Sequence, residues 1–208
     1  MTKLLDEPQP ASRTVHAGAA VVLDLRPVID LTDEQFYELC RANSELRFER
    51  TAEGEILIMP PTGSRTGQRN FTLTTLFGIW VEQDGTGVGF DSSTAFKLPN
   101  GATRSPDVSW IRRERWDALA LEEQEKFSPI CPDFVIELRS STDGLADLQA
   151  KMREYITSGV RLGWLLDPQE QAVYVYRQGA EVEVINHAHE ISGEPELPGF
   201  TLSLRDIW

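Results

Sequence analysis

One stretch constrains the fold more than any other: a near-continuous apolar run, Asp133-Phe134-Val135-Ile136-Glu137-Leu138-Arg139, followed by a helical repeat and a second apolar run. The first run lacks the polar alternation of a half-exposed strand, so it reads as a central strand covered on both faces. Leu145, Leu148, Met152, Tyr155 and Ile156 then recur at helical spacing. Gly159 stands where a glycine commonly ends a helix. Val160 to Leu166 is another apolar strand, closed by Asp167-Pro168. Strand, helix and strand in that order form a crossover unit with a parallel pair. Strand alternation puts Phe134, Ile136 and Leu138 on one face and Val135, Glu137 and Arg139 on the other. Glu137 therefore projects from a covered strand, where an uncompensated carboxylate is costly.

Two further charges are placed around this unit. Asp107 follows Pro106 at the start of the strand Pro106-Asp107-Val108-Ser109-Trp110, with its backbone held extended. Lys151 lies beside the apolar stripe of the helix, with Gln149 on the opposite flank, and its stem can pack while its ammonium reaches over the sheet end. Each has a bland alternative: a strand salt bridge for Glu137, a turn cap for Asp107, a surface lysine for Lys151. Together they suggest a shared site, because two carboxylates on neighbouring strands repel and a divalent cation relieves them.

Elsewhere, residues 1 to about 20 have no periodicity and are expected to form a flexible tail. Residues 21–208 are expected to be one domain. Thr32 and Gln35 fit a capping box for a helix from Thr32 to about Asn43. Leu46–Thr51 and Glu55–Met59 read as a hairpin about Glu53-Gly54, and Arg65–Gln83 as a long helix buried on two sides. Gly87–Asp91, Thr94–Leu98 and Thr103–Ile111 read as strands, Glu114–Phe127 as a polar helix outside the core, and Ala172–Tyr176, Glu181–Ile185 and Phe200–Leu204 as further strands.

Composition narrows the function classes. A hydrophobic content of 40% supports a real core, and no apolar stretch approaches the ~18 residues of a membrane span. The N-terminus, Met1 to Pro8, lacks the apolar region of a signal peptide. Cys40 and Cys131 stand alone and read as reduced, buried thiols of a cytoplasmic protein. The net charge of -13 argues against a broad nucleic-acid-coating surface. Basic residues nonetheless cluster: Arg47 with Arg50, Arg65 with Arg69, and Arg104, Arg112, Arg113 and Arg115 around Asp107. A local basic patch and a salt-bridged surface are equally open readings of these. Zinc is disfavoured: the cysteines are unpaired, and His16, His187 and His189 lie at the margins.

The string Pro132-Asp133-Phe134-Val135-Ile136-Glu137-Leu138-Arg139-Ser140, with Lys151-Met152-Arg153-Glu154-Tyr155, Gly159-Val160 and Trp164-Leu165-Leu166-Asp167-Pro168, resembles the Uma-two family. These are restriction-endonuclease-like proteins, common in cyanobacteria, of the PD-(D/E)XK nuclease superfamily. Phe48-Glu49-Arg50, Glu53-Gly54-Glu55 and Met59-Pro60-Pro61-Thr62-Gly63 also match, so the resemblance spans roughly residues 30 to 205. It implies a restriction-endonuclease-like αβββαβ core with a mixed central sheet, here with an N-terminal helix-hairpin extension. It also implies a Mg²⁺-dependent endodeoxyribonuclease (Mn²⁺ as the other candidate ion), with Asp107 and Glu137 as metal carboxylates and DNA as substrate. The superfamily's usual lysine lies two residues after the acid, which here is Arg139. Lys151 is the position that matches within this family, with Gln149 and Arg139 as the other candidates, and Glu49 adds a carboxylate from the hairpin. Many nucleases of this fold are dimers, so a homodimer is expected. Two rival readings remain: a catalytically inactive binding module of the same fold, and a metal-independent acid-pair hydrolase whose cleft Trp110, Trp116 and Trp164 would line.

Overall fold

The computed structural model describes residues 20–208; the expected tail falls outside them but for its last residue, as does His16. The chain runs β1 (Val21–Leu23), α1 (Asp33–Ala42), β2 (Arg47–Arg50), β3 (Ile56–Met59) and α2 (Ser64–Asp84). It continues through β4 (Gly87–Asp91), β5 (Phe96–Lys97), β6 (Thr103–Arg104) and β7 (Val108–Arg112) to the short helices α3 (Arg113–Asp117) and α4 (Leu121–Gln124). β8 (Phe134–Leu138), α5 (Leu145–Ser158) and β9 (Leu162–Asp167) follow. β10 (Ala172–Arg177), β11 (Glu183–Asn186), β12 (Glu190–Ser192) and β13 (Thr201–Ser203) complete it.

The expected crossover unit is the centre of the molecule. β8 and β9 pair in parallel, with Ile136 opposite Trp164 and Glu137 opposite Leu165. They sit inside a six-stranded sheet of order β11-β10-β9-β8-β7-β4, mixed because its other pairings are antiparallel. Both faces of β8 are covered. Phe134, Ile136 and Leu138 join the core under α2, with Leu73, Phe77, Trp80 and Phe200. Val135 joins the core under α5, with Met152, Tyr155 and Leu165. Burying an aromatic such as Trp164 or Tyr155 contributes roughly 1.5–3 kcal/mol, and both are fully buried. α5 approaches β9 closely at Gly163, where a Cβ would stand 2.6 Å from the Met152 Cε, so this glycine helps to seat the helix. Gly159 ends the helix at φ 120°, a conformation that favours glycine.

A second sheet, β1-β3-β2-β6-β5, is antiparallel throughout. The expected hairpin β2–β3 is its middle, so that hairpin is part of a five-stranded layer. β12 and β13 form a separate ladder.

Three local expectations are corrected. Thr103–Ile111 is two strands, β6 and β7, in different sheets, because Pro106 has no N–H for a ladder and the chain changes sheet there. Glu114–Phe127 is α3 and α4 with a break between them. That segment has too little apolar surface to seat a longer helix, and Leu121 is 79% exposed. α2 buries only one side: Leu73, Phe77 and Trp80 are inside, while Phe71 and Ile79 are exposed. The capping box of α1 is present as expected, Thr32 accepting from the Gln35 amide and Gln35 from that of Thr32. No described helix is long and apolar enough to cross a membrane.

Candidate active site

The change of sheet at Pro106 creates the site. β2 and β6 bring Glu49 and Arg104 from one sheet, while β7 and β8 bring Asp107 and Glu137 from the other. Val108 pairs with Ile136, so one residue further along the ladder Asp107 and Glu137 stand side by side at its end. α5 contributes Lys151 and, one turn later, Tyr155; α2 contributes Asn70.

All four residues expected from sequence, Glu49, Asp107, Glu137 and Lys151, meet here. The Lys151 ammonium lies 2.8 Å from Glu49 Oε1 and 2.9 Å from Glu137 Oε1. Tyr155 donates its hydroxyl to the same Glu137 oxygen at 2.9 Å. Glu49 also accepts from Arg104 Nη1 at 3.1 Å and from the Ser105 amide at 3.0 Å. Arg104 Nε reaches Glu154 Oε2 at 2.6 Å. Asp107 accepts from Asn70 Nδ2 at 3.0 Å and from the Leu138 amide at 2.8 Å. Glu49 and Glu137 are buried, and Asp107 is partly exposed.

The charges do not balance. Four carboxylates, Glu49, Asp107, Glu137 and Glu154, meet two cations, Lys151 and Arg104, so carboxylates outnumber the cations bonded to them. Burial pushes the Glu137 carboxyl up to about 7; Lys151 opposes this, and the charges of Asp107 and Glu49 add to it. Burial likewise raises Asp107, against the Leu138 amide, Lys151 and Asn70. Burial would also raise Glu49, but Lys151 and Arg104 outweigh it and hold that carboxyl below its ordinary value. For Lys151, burial favours the neutral amine, yet Glu137 and Glu49 prevail and keep it charged. Burial and the Glu137 charge raise the Tyr155 hydroxyl, which stays protonated and donates.

The other candidates lie elsewhere. Arg139 turns away to Asp167, its Nη1 2.7 Å from Oδ2. Gln149 makes no hydrogen bond to this cluster among the described residues. Trp110 and Trp164 are in the core, so they cannot line a cleft, and Trp116 packs on Phe90. Cys131 is buried as expected, and burial pushes its thiol up to about 12; Cys40 is only partly buried, which corrects the expectation for it, and partial burial pushes its thiol up to about 11. His187 and His189 lie in the short connection between β11 and β12.

Four residues of the cluster escaped sequence reading: Arg104, Glu154, Tyr155 and Asn70. In the sequence Arg104 stands out only as a member of a basic cluster. Tyr155 carried a signal, standing one helical turn after Lys151 and hence on the same face. Asn70 carried none, because its partner lies 37 residues away.

Residues 33–205 match the Uma2 family, described as "Putative restriction endonuclease". The chain belongs to the Uma2 family. Among solved structures, it resembles "a putative nuclease belonging to DUF820" from Anabaena variabilis ATCC 29413. That likeness has a TM-score of 0.66 at 22% identity and covers 78% of this chain and 90% of the other. It shows that the two share a fold. No curated protein matches the chain. Membership of Uma2 and the shared fold support a nuclease.

Restriction-endonuclease-like proteins typically use a divalent metal. No three His, Cys, Asp or Glu side chains among the described residues are grouped to hold an ion by themselves. Two carboxylates suffice for Mg²⁺, which prefers oxygen ligands and retains several waters. Asp107 and Glu137 fit that demand: both are oxygen donors, they adjoin, and carboxylates outnumber cations in their cluster.

Proposed function

We propose that this Uma2 protein is a metal-dependent endonuclease that hydrolyses DNA phosphodiester bonds. The observation that carries the reading is the adjoining pair Asp107 and Glu137 in a cluster where carboxylates outnumber cations. Asp107 and Glu137 would hold Mg²⁺ or Mn²⁺. When bound, the ion supplies Lewis-acid stabilisation of the phosphoryl oxygens.

The chain's own residues do the rest. Asn70 and the Leu138 amide fix the Asp107 carboxylate. Tyr155 and Lys151 together fix Glu137 Oε1. Lys151 stays protonated, so it serves as a fixed positive charge that orients the attacking water and offsets charge developing on phosphate. It is not a general base. Glu49 holds Lys151 from the opposite side and is itself held by Arg104 and the Ser105 amide, which makes Glu49 a positioning residue. A homodimer, with one site per strand, would cut duplex DNA.

The test is cleavage of supercoiled plasmid and linear duplex with Mg²⁺, Mn²⁺ or chelator. Metal-dependent nicking or linearisation that Asp107→Asn abolishes is the expected result. Cleavage that survives chelation, or is undiminished in Asp107→Asn, overturns the reading.

A further inference from the structure

The arginine clusters noted in the sequence divide into two kinds. Arg50 pairs with Asp33, Arg104 with Glu49 and Glu154, Arg112 with Glu114 and Arg115 with Asp133. Arg47, Arg65, Arg69 and Arg113 have no carboxylate partner among the described residues, in a chain whose net charge is -13; Arg113 donates to the Gly85 and Gly87 carbonyls and follows the end of β7 opposite to Asp107. Arg65 and Arg69 stand one turn apart on α2 with no acidic residue in its first turn to relieve them. Like charges at that spacing destabilise a helix by about 0.2–0.5 kcal/mol. Burial and the Arg65 charge both lower the Arg69 guanidinium.

Arg47, Arg65 and Arg69 lie on elements that contribute to the site. Arg69 immediately precedes Asn70, whose amide grips Asp107 at 3.0 Å. Arg47 comes from β2, in the other sheet; its charge reaches Asp107, and its guanidinium donates to the Ser92 carbonyl beyond β4. Three arginines without a carboxylate partner thus lie on α2 and β2, the elements that supply Asn70 and Glu49 to the site. An anionic polymer approaching an acidic protein needs such a local positive contact.

We infer that Arg47, Arg65 and Arg69 bind the backbone phosphates of the DNA strand flanking the reacting phosphodiester. This rests on the nuclease reading. Guanidinium suits the role, since it matches phosphate oxygens two at a time. The contact is to backbone, so it contributes affinity and register and reads no base.

The test is anisotropy of a labelled duplex titrated with intact protein over a range of salt, with Ca²⁺ replacing Mg²⁺ to hold back cleavage. Wild type, Arg47→Gln, Arg65→Gln/Arg69→Gln and Arg41→Gln are compared; Arg41 is an exposed arginine paired with Glu38. The double variant is expected to bind about 10–100-fold more weakly and to lower the slope of log affinity against log salt by about two. Arg47→Gln lowers it by about one, and Arg41→Gln leaves it unchanged. Folding is monitored by circular dichroism. Wild-type binding with unaltered slopes in the Arg47 and Arg65/Arg69 variants overturns this inference alone, as does an equal loss in Arg41→Gln. A wild type that binds no duplex overturns the nuclease reading and this inference with it.

Discussion

Two charged assemblies lie near each other at the C-terminal end of the parallel β8–β9 pair, and their stoichiometry differs. At Asp167 one fully buried carboxylate meets one arginine at 2.7 Å, and the Gln169 amide at 2.9 Å completes its bonding. Arg139 in turn donates to the Asp143 carbonyl. That pair is closed. Around Lys151, carboxylates outnumber cations, Glu137 is pushed up to about 7, and Asp107 remains partly open to solvent. A matched buried pair costs desolvation and repays it locally. An unmatched one takes up a proton or another cation, so the imbalance marks the functional assembly.

The largest expected effect separates the two directly. Asp107→Asn and Glu137→Gln should each lower metal-dependent cleavage by at least about 10²–10³-fold with the fold retained, measured by initial rates and circular dichroism. Cleavage within a few-fold of wild type in either variant would remove that carboxylate from the site.

The next prediction pits Lys151→Met against Arg139→Met. Each leaves buried carboxylate without its cation, so each should cost about 3–5 kcal/mol in urea unfolding. Only Lys151→Met should also reduce the rate per folded molecule, by about 10²-fold. Equal activity losses in both would erase the distinction between the assemblies.

The pH dependence sharpens it further. Glu137 has a folded value near 7 against an ordinary value of 4.5. The folded state therefore holds a proton that the unfolded state releases, and metal-free stability should fall as pH rises through that interval. Glu137→Gln should remove most of this decline and gain about 1–3 kcal/mol at pH 8 over wild type without metal. Urea melts at pH 5 and pH 8 check this; a steeper decline in the variant contradicts it.

The smallest effect belongs to Tyr155→Phe, which deletes one hydrogen bond to Glu137 and no volume of consequence. A loss of about 1–2 kcal/mol with cleavage reduced less than 10-fold is expected. A loss of 10²-fold or more would mean that the hydroxyl does more than orient Glu137.

The central unit was legible in sequence because its signals are local. The apolar strand, the helical spacing of Leu145 to Ile156 and Gly159 each act within a turn or a strand. Glu137 was legible as a charge out of place. The rest depends on contacts across the chain: Lys151 meets Glu49 over 102 residues, and Arg104 meets Glu49 over 55. Asn70 reaches Asp107 only because the chain changes sheet at Pro106, which turned one expected strand into two. Periodicity also overstated α2, since Phe71 and Ile79 are apolar but exposed. Glu49 illustrates the remaining limit: sequence marked it as an extra carboxylate, and its bonds to Arg104, Ser105 and Lys151 give it a supporting place.

The central claim is that Asp107 and Glu137 hold a divalent ion. Calorimetric titration of Mn²⁺ at pH 8 into wild type and Asp107→Asn, each with a non-cleavable duplex bound, addresses it most directly. The account predicts saturable binding to wild type that is absent or at least about 10-fold weaker in the variant. Equal binding to both proteins, or none to either, would contradict it.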